Sequence, residues 1–245
     1  MKDKIAGDYT KMKSVAGAFS KLKKITPSKL KNRFTWEIAN IMDFIWDKKI
    51  TGRNLTRTIS SPITLVRKGG LDSQPARYLI LEKVFSHISL SSSDSFMDVG
   101  CGQGRVLAFL VLQKCPCEIY GVEFNETAGK TAIEWTKKNP NIHVILGDAF
   151  SLDYNEYTVL FLSQPFSPYV FSQFILYLES HLIHPVTLIY LFDRLSGGHL
   201  EGRNGWELQY WEEFYKIKGF QVVGAVNRFS IWRYTPSKSK SQKRD

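Results

Sequence analysis

The sequence predicts an α/β fold: a mostly parallel seven-stranded sheet with helices on both faces, a C-terminal antiparallel hairpin and an N-terminal helical extension. Three observations lead there. From about Leu71 onward, short apolar runs alternate with helix-length segments, the pattern of parallel strands joined by crossover helices. A glycine-rich turn, Gly100-Cys101-Gly102-Gln103-Gly104, follows the first of these runs. The last two β-rich runs have no helix between them, which makes them antiparallel neighbours.

In chain order, the spacing first predicts a helix over Ser28–Lys49. Ser28 is its N-cap, and Trp36, Ile38, Ile41, Met42, Phe44, Ile45 and Trp46 lie on one broad face. That face is expected to pack against the rest of the protein. Gly52, Pro62 and Gly69-Gly70 punctuate a connecting segment. A helix over Pro75–Ile88 precedes a short buried strand, Ser95–Val99. Helices over Gln103–Gln113 and Glu126–Lys138 then alternate with strands at Glu118–Val122 and Ile142–Leu146. A strand at Thr158–Leu162, a helix near Pro168–Leu182 and a strand at Val186–Phe192 complete the alternation. A further helix is expected over Trp206–Ile217, leading to the final runs Phe220–Ala225 and Arg228–Tyr234. Composition thus divides the chain into a basic helical extension (1–70), an α/β domain (71–236) and a basic tail (237–245) expected to be disordered.

Charge is distributed unevenly along the 245 residues. Residues 1–33 carry +8 and residues 233–245 carry +4 of a net +10, which leaves the body at −2. Apolar runs such as Leu107–Leu112 are far shorter than the ~20 residues a membrane-spanning helix needs. The charged N-terminus lacks the apolar core of a secretory signal. Three cysteines, Cys101, Cys115 and Cys117, are too few and too clustered for a disulfide framework and suit a reducing cytoplasm. Neither Cys115-Pro116-Cys117 nor the five histidines has metal-ligand spacing, so no metal is expected.

Chemistry is expected where strands end, because ligands of open α/β sheets sit outside the carboxyl ends of the strands. Gly100, Gly102 and Gly104 allow a sharp turn and a close backbone approach to a ligand. A dinucleotide fingerprint would place its third glycine one position later, where Arg105 stands, and no Gly-Lys-Ser/Thr follows for a phosphate loop. Glu123, about 20 residues after the turn, is placed to hold two ribose hydroxyls. After the next strand, Asp148 can accept from an adenine amino group while Ala149 and Phe150 cover the ring.

With these three strand ends in order, the stretch from Asp94 to Phe192 resembles the class I S-adenosylmethionine-dependent methyltransferase family. The resemblance implies a Rossmann-like sheet and S-adenosyl-L-methionine as cofactor. Asp98, Gly100, Gly102 and Gly104 would wall the methionine part, Glu123 would hold the ribose, and Asp148, Ala149 and Phe150 the adenine. Ser163, Gln164, Pro165 and Phe166 stand where amino-group methyltransferases of the family carry Asn-Pro-Pro-Tyr or a similar tetrapeptide. The match is partial, with a shorter acceptor first and Gln in place of the first proline. Asp193 and His199 are further candidate bases.

The methyl acceptor, through N or O, is not identified by these residues. A protein or small molecule is favoured over nucleic acid because the body is not basic. A nucleic-acid methyltransferase and a non-catalytic cofactor-binding module remain alternatives. The basic N-terminal arm suits an anionic membrane surface, nucleic acid or plain solvation, so cytoplasmic location with peripheral membrane association stays open.

Overall fold

The computed structural model describes residues 27–67 and 69–237. The basic arm up to Thr26 and the tail from Lys238, to which several of the expectations above apply, lie outside the described residues. An N-terminal helix α1 (Pro27–Thr51) is followed by a single-turn α2 (Ile63–Arg67) and by α3 (Tyr78–Phe85). Then come β1 (Ser95–Val99), α4 (Arg105–Leu112), β2 (Glu118–Glu123), α5 (Glu126–Thr136) and β3 (Ile142–Leu146). The chain continues through β4 (Val159–Ser163), α6 (Pro168–His181) and β5 (Val186–Leu191). It closes with β6 (Trp206–Phe214), β7 (Lys216–Ile217), β8 (Phe220–Gln221) and β9 (Asn227–Tyr234).

Seven strands form one sheet in the order β3-β2-β1-β4-β5-β9-β6. The first five are mutually parallel, while β9 runs antiparallel to both β5 and β6. Connections turn outward in opposite directions from β1 and β4, so a crevice opens between the carboxyl ends of these two strands. Side chains alternate across the sheet and each face is covered. Phe96, Phe161, Ile189 and Phe229 pack with α3 and α4 on one side. Met97, Leu160, Leu188 and Trp232 pack with Phe171, Phe174 and Leu178 of α6 on the other.

Two sequence expectations are corrected here. Trp206–Ile217 is not a helix, since Trp206–Phe214 forms edge strand β6. The partner of β9 in the antiparallel pair is therefore β6. Of Phe220–Ala225 only Phe220 and Gln221 pair, in a separate two-stranded ribbon with β7. The physical reason is a bulge. Leu208 pairs with Trp232 and Tyr210 with Ile231, leaving Gln209 as an extra residue. The insertion breaks the period of two, and the apolar set Trp206, Tyr210, Trp211 and Phe214 then mimics a helical stripe.

Helix α1 also docks differently from the expectation. Its buried face is Ala39, Asp43 and Asp47, with Trp36, Met42 and Trp46 half-buried beside them, whereas Ile41, Phe44 and Ile45 are exposed. Asp47 accepts from Arg105 Nε (3.0 Å) and from its terminal nitrogen, and also from the Leu55 amide (3.0 Å). Asp43 accepts from Arg77 (3.1 Å) and from the Tyr78 amide (3.0 Å), and the Arg77 guanidinium lies 4.1 Å from the centre of the Trp36 ring. Buried charges persist only when paired and hydrogen-bonded, and both acids meet that condition.

Candidate functional site

The glycine turn leaves β1 with the Gly100 and Cys101 amides both donating to the Val122 carbonyl, at 2.8 and 3.0 Å. This locks the turn to the end of β2. Gly100 has φ +79°, and a Cβ there would lie 2.5 Å from Pro165 Cβ. Gly102 has φ +57°, and a Cβ there would lie 2.4 Å from the Ser73 hydroxyl. Both positions combine a left-handed backbone with a neighbour at contact distance, and only glycine satisfies both.

Glu123 ends β2 and is buried. Its Oε2 accepts from the Gly102 amide at 2.7 Å and its Oε1 from the Asn125 amide at 2.6 Å. Asn125 caps α5, accepting from the Thr127 and Ala128 amides, so the carboxylate is held between two ordered turns. Burial pushes the Glu123 carboxyl above its ordinary range, opposed by the Asn125, Gly102 and Phe124 amides. Asp98, the penultimate residue of β1, is buried and its Oδ2 has no hydrogen-bond partner. Burial, then the Glu123 charge, push its carboxyl well above the ordinary range. Asp148 follows β3, with Oδ1 accepting from the Phe150 amide at 3.0 Å. Phe150 packs among Phe166, Phe174 and Tyr177 at centroid distances of 5.6–6.1 Å.

Ser163 ends β4 with a buried hydroxyl that lacks a partner. Gln164 then takes φ +47°. A proline ring fixes φ near −65°, so this backbone cannot carry the proline that the resembled tetrapeptide has at that place. The departure in sequence is thus a departure in loop geometry. Pro165 lies under Gly100, and Ser167 caps α6 with Pro168 in its first turn.

The connecting segment between α1 and α3 covers these loops. Gly70 bridges Phe166, the Ser167 amide donates to the Gly69 carbonyl (2.8 Å), and Ser73 pairs with Ile59. Gln103 anchors the same region by donating to the Arg57 carbonyl at 2.8 Å. This strap and the four strand ends enclose a cleft of about 1090 Å³, part of it open to solvent. Asp98, Gly100, Gly102, Glu123, Asp148, Ala149, Phe150, Ser163, Gln164, Pro165 and Phe166 all line it. Gly104 does not. Its missing Cβ faces Trp135 and Ala132 at 3.0–3.3 Å, so the residue serves the packing of α4 against α5.

Residues 70–76, Arg105, Phe124 and Val170 also line the cleft, beyond the sequence expectation. The one available signal for the strap was its punctuation by Gly69, Gly70 and Pro75. Asp193 and His199 are not among the lining residues. Asp193 is buried and accepts from Arg228 Nε at 2.7 Å. Tyr78 is a core residue under Arg105. The cleft contains carboxylates at Asp72, Asp98, Glu123 and Asp148, and its one lining cation among the described residues, Arg105, is held by Asp47. No group of three or more potential metal ligands occurs among the described residues, and none of the described helices is long and apolar enough to cross a membrane.

Residues 96–172, from β1 into α6, match a family model described as a methyltransferase domain. Three solved structures share the fold. MtNAS in complex with MTA and tNA is 13% identical over 85% of this chain and 75% of its own, with a TM-score of 0.51. The [4+2]-cyclase SpnF is 13% identical over 82% and 97%, also at 0.51. The putative methyltransferase yhhF from Escherichia coli is 16% identical over 64% and 87%, at 0.50. Identities this low speak for fold alone, and a cyclase among them shows how varied the chemistry on one scaffold is. No curated protein sequence matches the chain.

Proposed function

We propose that this chain, an S-adenosylmethionine-dependent methyltransferase by the family of its residues 96–172, methylates a nitrogen or oxygen of a protein or small-molecule acceptor that is neutral or cationic. The single observation carrying the acceptor class is the polarity of the cleft: acidic side chains line it at Asp72, Asp98, Glu123 and Asp148, and its one lining cation among the described residues, Arg105, is neutralised by Asp47. A phosphate-rich acceptor would meet repulsion there, whereas a sulfonium and an amine or hydroxyl would not.

The residues fit the cofactor. Asp98 Oδ2 is a buried polar atom in want of a partner at the cleft, and the carboxyl groups of Glu123 and Asp148 line the same cleft at the next two strand ends. Glu123 would hold the ribose hydroxyls while its two amide bonds fix its orientation, and Asp148, Ala149 and Phe150 would enclose the adenine. Bound S-adenosylmethionine supplies an already activated methyl group, so alignment and exclusion of water account for most of the rate. Ser163 Oγ and the Gln164 carbonyl would accept hydrogen bonds from the acceptor N–H or O–H and aim its lone pair. Phe166 gives the acceptor an apolar wall.

Calorimetry with S-adenosylmethionine tests the first half of this reading. Glu123→Ala is expected to weaken binding by about 100-fold, the loss of two hydrogen bonds to a charged group. Absence of binding by the unmodified protein would overturn the reading. Incubation with methyl-labelled cofactor and fractionated extract tests the second. Label in protein or small molecules supports it, and label confined to RNA or DNA overturns the acceptor class.

A further inference from the structure

Helix α1 has two faces, and the domain uses one. Opposite the buried Ala39, Asp43 and Asp47, the side chains of Leu30, Phe34, Ile41 and Ile45 are 61, 66, 58 and 54% exposed. At 100° per residue the four fall within an arc of about 60° and form a stripe about 22 Å long. Exposed Lys31, Arg33, Lys48 and Lys49 border the stripe, with Glu37 the acid among them. The preceding residues 1–26 add seven lysines against two aspartates.

We propose that this face of α1 docks on an anionic lipid bilayer, with the helix lying in the plane of the interface. Charge selects this occupant over the others. A second copy of the stripe would bring lysine and arginine against lysine and arginine, and residues 1–26 are themselves basic. Nucleic acid supplies anions but no apolar layer in which Phe34 and Ile41 could leave water. An anionic bilayer supplies both, apolar depth for the stripe and headgroup charge for its borders. α1 is not apolar enough to span a bilayer, which fits a helix lying in the plane of the interface. The buried Asp43–Arg77 and Asp47–Arg105 pairs tie α1 to the N-terminal ends of α3 and α4, so the methyltransferase domain is held at the surface with it.

The test is sedimentation of the full chain with vesicles of phosphatidylcholine alone and of phosphatidylcholine mixed with phosphatidylserine. Binding is expected only to the mixture and to weaken as salt rises. F34E/I41E should lower the partition by about 100-fold with an unchanged melting temperature, since both side chains are already in water. K31E/K48E gives a second reading through charge alone and should also release the protein. Failure of the unmodified chain to bind anionic vesicles would overturn the proposal, as would binding by both double variants equal to that of the unmodified chain. A lipid-free dimer abolished by F34E/I41E would assign the face to a second copy instead. Binding to a single-stranded oligonucleotide but to no vesicle would assign the charge to nucleic acid.

Discussion

The half of the cleft around Asp98, Glu123 and Asp148 hangs from the ends of three adjacent parallel strands, whereas the half around Ser163–Phe166 depends on a strap returning from the N-terminal side. In the first half each carboxylate sits on or immediately after a strand, and ordered turns supply the contacts, such as those from Gly102 and Asn125 to Glu123. In the second, Gly69, Gly70 and Leu71 hold residues about 95 positions away, and Gln164 sits in a left-handed backbone. Local geometry suits a ligand of fixed shape. A long-range loop pair can change with the acceptor while the sheet stays as it is.

Where the two halves touch, at Gly102 and Ser73, substitution should have the largest effect. Gly102→Ala places a Cβ against the Ser73 hydroxyl and imposes a left-handed conformation costing about 1–2 kcal/mol. Cofactor affinity by calorimetry should fall by more than about 100-fold. Adding Ser73→Ala should recover part of that loss. Full recovery would mean that the contact between halves, and not the turn conformation, sets the affinity.

Ser163→Ala separates the halves more gently. It removes a buried hydroxyl without a partner, so folding should be unharmed and cofactor affinity retained. The transfer rate with a labelled acceptor should fall by about tenfold, one hydrogen bond to the reacting group. Equal loss in affinity and rate would break the division of labour between the halves.

The smallest effect concerns pH and belongs to the first half alone. Burial raises the Asp98 and Glu123 carboxyls above their ordinary range. A raised carboxyl favours the folded state while protonated, and that contribution is present below the ordinary value and lost as pH climbs through the raised one. A bound sulfonium favours the ionised pair. The preference for S-adenosylmethionine over its demethylated product, whose sulfur is neutral, should therefore grow a few-fold as pH rises from the ordinary carboxylate range through the raised values. Calorimetry with both ligands across that window measures it, and a flat ratio would show that the carboxylates do not sense the sulfonium.

The five parallel strands were legible because each is a short apolar run bounded by turn residues, and burial on both faces demands that composition. The three acids were legible for a related reason, since the end of a buried strand is where a polar residue can stand beside a ligand. β6 was misread because the extra Gln209 erases its alternation. The cover formed by residues 69–76 left almost no trace, because the hydrogen bonds that join it to the Phe166 loop and to Ile59 are main-chain, with Asp72 accepting from the Ser61 amide as the side-chain contribution.

By itself, then, the sequence determined the five parallel strands, the glycine turn and the carboxylates that follow it, because those depend on local backbone conformation and on the burial of contiguous runs. Tertiary structure alone decided that Gly104 packs α4 against α5, that Gln164 excludes a proline loop, and that Asp43 and Asp47 join Ala39, Met42 and Trp46 in facing the domain while Ile41, Phe44 and Ile45 do not. Each of those depends on a partner distant in sequence: Trp135, Gly70 with its strap, Arg77 and Arg105. Pairings of that kind arise only when the chain has folded and brought the two surfaces together.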